Sequence, residues 1–331
     1  MTSISNYKEI EFKNLNINLS SIFLFIFSIF FSLIIGLGFY GFGRDYYSGY
    51  FKHNLDYGGI FDRLGYILAT FSINQIHLGV YIVTFILCFS VGILIRERLK
   101  FYKNYSAIFF ISIFLIVIHT WPIIMSTSNA MRQGLSMSFI FLALASSSQN
   151  KYFRMLFFLI ISVFMHKSGL FLSLIILFAY HMNALFLRIP HSYKIIFNIL
   201  IGFFLFFASY YMILITNFLD DKAPGKIIEG DYRWALLLIS IINVVLSFIY
   251  KQILDNSFNL SLFYFSFISV AVLMAGHNWE YERLGMMMII PYIFLIGCVV
   301  KKNISYKIYL LTSLSLLFFM TLYTGMYASL H

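Results

Sequence analysis

Few residues in this chain could do chemistry, and they stand out because apolar sequence surrounds them. Arg132 follows the polar stretch Ser126-Thr127-Ser128-Asn129, whose side chains are good helix N-caps. An arginine in the first turn of a helix joins free backbone amides and the positive end of the macrodipole, a combination suited to phosphate. The alternative for Arg132 is a side chain snorkelling to lipid headgroups. Arg63 and Arg283 repeat the theme, each after an acid (Asp62, Glu282) and before Leu-Gly; each could instead pair with that acid to hold a loop. His166 interrupts an apolar run in Met165-His166-Lys167-Ser168-Gly169. Its ordinary pKa suits proton transfer near neutrality, although a histidine at such a break also serves to cap helix ends. Asp45, Glu280 and Glu282 are further candidate bases. Tyr46, Tyr47 and Trp279 are flat aromatic surfaces of the kind that stack on sugars. On a helix the Glu280–Glu282 spacing puts the two side chains on different faces, so no metal site is expected.

The elements that must carry these groups are transmembrane helices. Of 331 residues, 61% are hydrophobic and 11% charged, less than half the charged fraction of a soluble domain. Spans of about 20 apolar residues are predicted at 19–40, 76–95, 104–124, 130–148, 152–166, 168–186, 194–216, 233–250, 258–276, 284–300 and 306–327. The expected fold is thus an all-α polytopic membrane protein of about eleven helices. It forms one transmembrane domain over 1–331, with no soluble domain and with short or broken helices around His166. Residues 1–18 form a cytoplasmic N-terminal segment, and 41–75 and 217–233 are the larger outer loops. Residues 59–71 of the first have the apolar spacing of a short interfacial helix.

Charge tests the threading. With the N-terminus inside and every span crossing, the loop between the second and third spans (Arg96, Arg98, Lys100, Lys103), Lys151, Arg154 and the Lys301-Lys302 loop all fall inside. Acids and bases cancel outside, and the whole net charge of +10 lies on the inner side, as the positive-inside rule requires. One continuous helix over 152–186 would reverse every later loop, so the chain is expected to break at His166. The same bias accounts for the basic balance without nucleic acid. Cys88 and Cys298 sit in apolar runs, which argues against disulfide or thiolate-metal chemistry. No P-loop, GxGxxG, HExxH or GxSxG motif is present, and no cofactor is expected.

The order of SNAMRQGLSMSFIFLAL, a basic turn and FLIISVFMHKSGLF resembles the EpsG family of Wzy-type O-antigen and capsular polysaccharide polymerases. The resemblance extends to DYYSGY, FDRLGYILA and YERLGMMMIIPYIF and spans most of the chain. It implies a glycosyltransferase in the bacterial inner membrane that joins undecaprenyl-pyrophosphate-linked oligosaccharide repeat units at the periplasmic face. Donor and acceptor are both lipid-linked glycans, the bilayer is the solvent, and a chain-length regulator protein is a further expected partner. Carried over by resemblance are Arg132 and His166 first, then Asp45, Arg63 and Arg283. Lys167 stands where that family more often has a small or neutral residue, which leaves open whether His166 takes a proton or positions a phosphate. Two other readings remain at this level: a membrane O-acyltransferase acting on the polysaccharide, and a flippase or transporter of lipid-linked oligosaccharide.

Overall fold

The computed structural model describes residues 2–37, 60–74, 76–101, 107–128, 130–186, 189–220, 233–249, 256–276, 281 and 283–289. The expected span 306–327 lies outside them, as do most of 284–300 and the first outer loop before residue 60. What is described is helical apart from one two-residue hairpin. The elements are α1 (Thr2–Gly36), α2 (Ile60–Ala69), β1 (Ser72–Ile73), β2 (Ile76–His77), α3 (Gly79–Phe101), α4 (Ala107–Ile118) and α5 (Trp121–Ser128). They continue with α6 (Met131–Ser148), α7 (Tyr152–Met165), α8 (Lys167–Leu185), α9 (His191–Asp220), α10 (Arg233–Ile249) and α11 (Ser257–Ala275). Strands β1 and β2 pair antiparallel.

Five of these helices hold stretches long and apolar enough to cross a bilayer: Leu19–Gly36, Gly79–Lys100, Lys167–Leu185, Ser192–Ile215 and Ser257–Ala275. Shorter apolar helices occupy Ala107–Ile118, Tyr152–Met165 and Arg233–Val245. The chain is therefore an all-α membrane protein. Helix α11 is apolar all round and 94% of its span is buried by the rest of the bundle, whereas only 17% of the α9 span is. A helix without a polar face belongs either in a core or against lipid; α11 takes the first place and α9 the second, with Phe204, Phe207 and Tyr211 exposed.

Two boundaries differ from expectation. The span read as 104–124 is interrupted at His119–Thr120. Pro122 lacks the amide that would bond the Ile118 carbonyl, and its ring would clash there. It sits instead in the first turn of a new helix, α5, where a proline is tolerated. The second difference is at the end of α3. Arg98 was expected in a loop, but α3 runs on to Phe101 and Arg98 is wholly buried. Its Nη2 donates to Asn259 Oδ1 at 3.0 Å and its guanidinium stacks 3.8 Å from the Phe258 ring.

Cross-helix contacts sort the helix ends into two sets. One set joins Arg96 to Ser21 (2.8 Å), Gln149 to Glu97 (2.7 Å) and Ser147 to Ser257 (2.7 Å), beside Arg98 and Asn259. The other joins Asp62, Arg132 and His166, with Gln133 donating to the Arg283 carbonyl (3.1 Å) and Arg233 to the carbonyls of Leu273 and Met274 (both 2.6 Å). Arg132 and Gln149 lie at opposite ends of α6, about 25 Å apart at 1.5 Å per residue. The bundle thus has an Arg98 end and an Arg132 end.

Candidate functional site

The break at His166 is a one-residue reversal. His166 is extended (φ −162°, ψ 144°), its amide closes α7 on the Ser162 carbonyl, and α8 begins with the next residue. Helices α7 and α8 then run back along each other: Ser173 Oγ donates to the Leu159 carbonyl, and Tyr152 packs on Tyr180 and His181. A single helix over 152–186 is ruled out, in agreement with the charge argument. At 14 residues, α7 is about 21 Å long, shorter than the hydrocarbon core.

Small polar residues set the register that builds the site. Ser136 of α6 and Ser162 of α7 lie Oγ to Oγ at 2.8 Å, and each hydroxyl reaches the other's carbonyl (3.1 and 3.0 Å). The helices are antiparallel, so one turn toward the Arg132 end puts residue 132 level with residue 166. Helix α2 lies across both. A Cβ at Gly65 would collide with the Met165 carbonyl oxygen, so only glycine lets α2 approach this closely. One turn back along α2, Asp62 faces the space between Arg132 and His166.

Asp62 is the centre of the cluster. Its Oδ1 accepts the Lys167 amide at 3.2 Å and lies 4.0 Å from His166 Nε2. Its Oδ2 lies 4.0 Å from Arg132 Nη1. Both 4.0 Å separations exceed hydrogen-bond length. The three side chains are sheltered, with 13% of Asp62 and 19% of each partner exposed. Arg132 Nε is buried without a hydrogen-bond partner among the described residues, a costly state unless a ligand or water completes it.

The N-terminus of α6 is built differently from the expected capping. Ser126 and Thr127 lie inside α5 and bond back to the Pro122 and Ile124 carbonyls (2.7 and 2.5 Å), as hydroxyls within a helix do. The N-cap position falls to Ala130, which offers no side-chain bond. The first-turn amides around Arg132 therefore have no side-chain cap from that residue. Gly134 keeps α5 and α6 together: a Cβ there would strike the Ser126 carbonyl oxygen.

His166 caps α8. The Ser168 amide donates to Nδ1 at 3.2 Å, and Ser168 Oγ is 2.7 Å from the same nitrogen. An amide can only donate, so Nδ1 is unprotonated and the neutral ring carries its proton on Nε2. Burial lowers the His166 pKa to about 4; Asp62 opposes the shift, and Arg132, Lys167 and Arg283 add to it. The ring in this turn is neutral at physiological pH.

Arg132, His166 and Arg283 are thus brought to one place. Gln133 holds the backbone of residue 283 against α6, and the Arg283 charge acts on His166. Arg63 is exposed on α2 and does not join them. Asp45, Tyr46, Tyr47, Trp279, Glu280 and Glu282 lie outside the described residues. Two residues that sequence reasoning did not place in the site, Asp62 and Gln133, organise it. Their signals were the acid before Arg63 and the glutamine directly after Arg132. Away from this cluster, an apolar hollow of about 410 Å³ opens between α8 and α9, lined by Phe178, Phe197, Leu200 and Phe204 among others. Phe178 is about 16 Å along α8 from its His166 end.

No curated protein and no solved structure matches the chain. The EpsG family model matches residues 21–330, nearly the whole sequence. The chain belongs to the EpsG family, and that membership points to a polysaccharide-polymerase type of activity in a membrane.

Proposed function

We propose that this protein joins repeat units carried on undecaprenyl pyrophosphate, transferring the growing glycan from its lipid diphosphate to a hydroxyl of the next unit. The observation that carries the reading is the meeting of Arg132 and His166, from separate helices, at one sheltered acid on one end of the bundle. Breaking a sugar–phosphate bond leaves negative charge on the departing diphosphate. Preorganised cations at a helix start stabilise that charge without rearranging. Arg132 supplies the first cation and Arg283 the second, while His166 lies beside the reacting centre. The donor is already activated, so the reaction needs no nucleotide site.

We place the Arg132 end at the periplasmic face of the bacterial inner membrane and the N-terminus in the cytoplasm, with about eleven crossings. Support comes from the opposite end of the bundle, where Arg96, Lys100, Lys151 and Arg154 gather, as expected of a cytoplasmic surface. The apolar hollow between α8 and α9 offers lipid-facing surface of the kind a polyprenyl tail requires.

The test is reconstitution of the purified chain in proteoliposomes with undecaprenyl-pyrophosphate-linked repeat units. A ladder of lengthened glycans with release of undecaprenyl pyrophosphate is expected. Acyl transfer without lengthening, or translocation without a covalent product, would replace this reading.

A further inference from the structure

We propose that Asp62 takes the proton from the attacking hydroxyl, and that His166 stands beside it as a neutral N–H donor. This rests on the polymerase reading above and names its base.

The proposal follows from what each nitrogen and oxygen is already doing. His166 has a single lone pair able to accept a proton, on Nδ1, and the Ser168 amide occupies it as the cap of α8. Its other nitrogen carries hydrogen and points toward a carboxylate. A histidine acting as base through an orienting acid needs the reverse arrangement, with the far nitrogen open to substrate. That far nitrogen here is turned into the helix. Asp62, by contrast, has one oxygen oriented by the Lys167 amide (3.2 Å), while Oδ2 accepts no hydrogen bond among the described residues.

A purely structural acid would look different, and one is present for comparison. Glu97 at the other end of the bundle takes Gln149 at 2.7 Å and Lys100 at 3.1 Å. Asp62 faces Arg132 from α6 and His166 and the Lys167 amide from the α7–α8 turn, yet neither side-chain pair closes below 4.0 Å. The slack leaves room for a hydroxyl between the acid and the arginine that holds the leaving group.

In the step, the acceptor oxygen bonds to the anomeric carbon as the bond from that carbon to the diphosphate oxygen breaks. The diphosphate leaves with the electron pair, and the hydroxyl proton passes to Oδ2 of Asp62. The hydroxyl becomes acidic only as its new bond forms, so a carboxylate is base enough, as in water-activating glycosidases.

The experiment compares Asp62→Asn and His166→Asn in proteoliposomes supplied with undecaprenyl-pyrophosphate-linked repeat units. Asn at 62 keeps an Oδ1 acceptor for the Lys167 amide but cannot take a proton. Asn at 166 keeps a cap acceptor and an N–H donor. Asp62→Asn should lose on the order of 10³-fold in turnover, and its binding of the same lipid-linked unit should stay within threefold of the unmodified protein's. His166→Asn should lose at least tenfold less turnover than Asp62→Asn. Equal losses, the reverse order, or failure of Asp62→Asn to bind the unit would overturn the assignment. An unmodified protein that makes no polymer would instead remove the reading on which it rests.

Discussion

The two ends of the bundle use the same residue types to opposite effect. At the Arg98 end, charged and amide groups close on one another at hydrogen-bond length: Arg98 to Asn259 at 3.0 Å, Gln149 to Glu97 at 2.7 Å and Arg96 to Ser21 at 2.8 Å. At the Arg132 end, Asp62 stands 4.0 Å from both Arg132 and His166, whereas Glu97 at the other end accepts two side-chain hydrogen bonds. A cluster whose acid is satisfied fastens helices. One that holds cations near an acid without closing on it remains available to a ligand. The contrast teaches that charge at a helix end does not identify a site; unclosed geometry does.

That contrast can be broken by substitution. Arg132→Ala should cost about 10²- to 10³-fold in chain elongation, measured by product sizing, with the thermal midpoint of the purified protein nearly unchanged. Gly65→Ala should displace α2 and move Asp62 by about 1 Å, costing roughly 10²-fold in turnover while the protein remains folded by size exclusion. Arg98→Ala should do the converse. It strips Asn259 of a buried donor and empties the space over Phe258, lowering stability by roughly 3 kcal/mol. Elongation per folded molecule should be preserved.

The smallest effect is in pH. His166 is held neutral in the fold down to about pH 4, whereas the same side chain in an unfolded chain takes a proton below its ordinary 6.5. The unfolded state therefore binds more protons as pH falls through that window. The His166 contribution to stability is intact above 6.5 and is lost progressively toward 4. A thermal midpoint that falls over this range in the unmodified protein, and falls less in His166→Asn, checks the sign.

How much of this was legible beforehand varies by residue. The reversal at His166 could be read, because one helix from 152 to 186 would put every later loop on the wrong side for its charge bias. Arg132 in the first turn of its helix could also be read. Its capping could not, since Pro122 adds a helix that draws Ser126 and Thr127 inward. Asp62 appeared as the partner of its neighbour Arg63, and nothing in the sequence tells which face of a ten-residue helix turns to the bundle. Gly65, three positions on, decides it by letting that face approach Met165. Arg98 read as a solvated loop base because hydropathy falls at Arg96, although the helix continues to Phe101. Contacts among residues 62, 132, 166 and 283 depend on helix packing that no local pattern encodes.

The central claim is that the open end receives a diphosphate, and thermal unfolding with and without undecaprenyl pyrophosphate tests it most directly. A ligand that binds only the folded protein raises stability by about 2.7 kcal/mol at a hundred times its dissociation constant. The unmodified protein and a folded Arg98→Ala variant should both shift upward, and Arg132→Ala should shift far less. An Arg132→Ala protein stabilised as fully as the unmodified one would contradict the account.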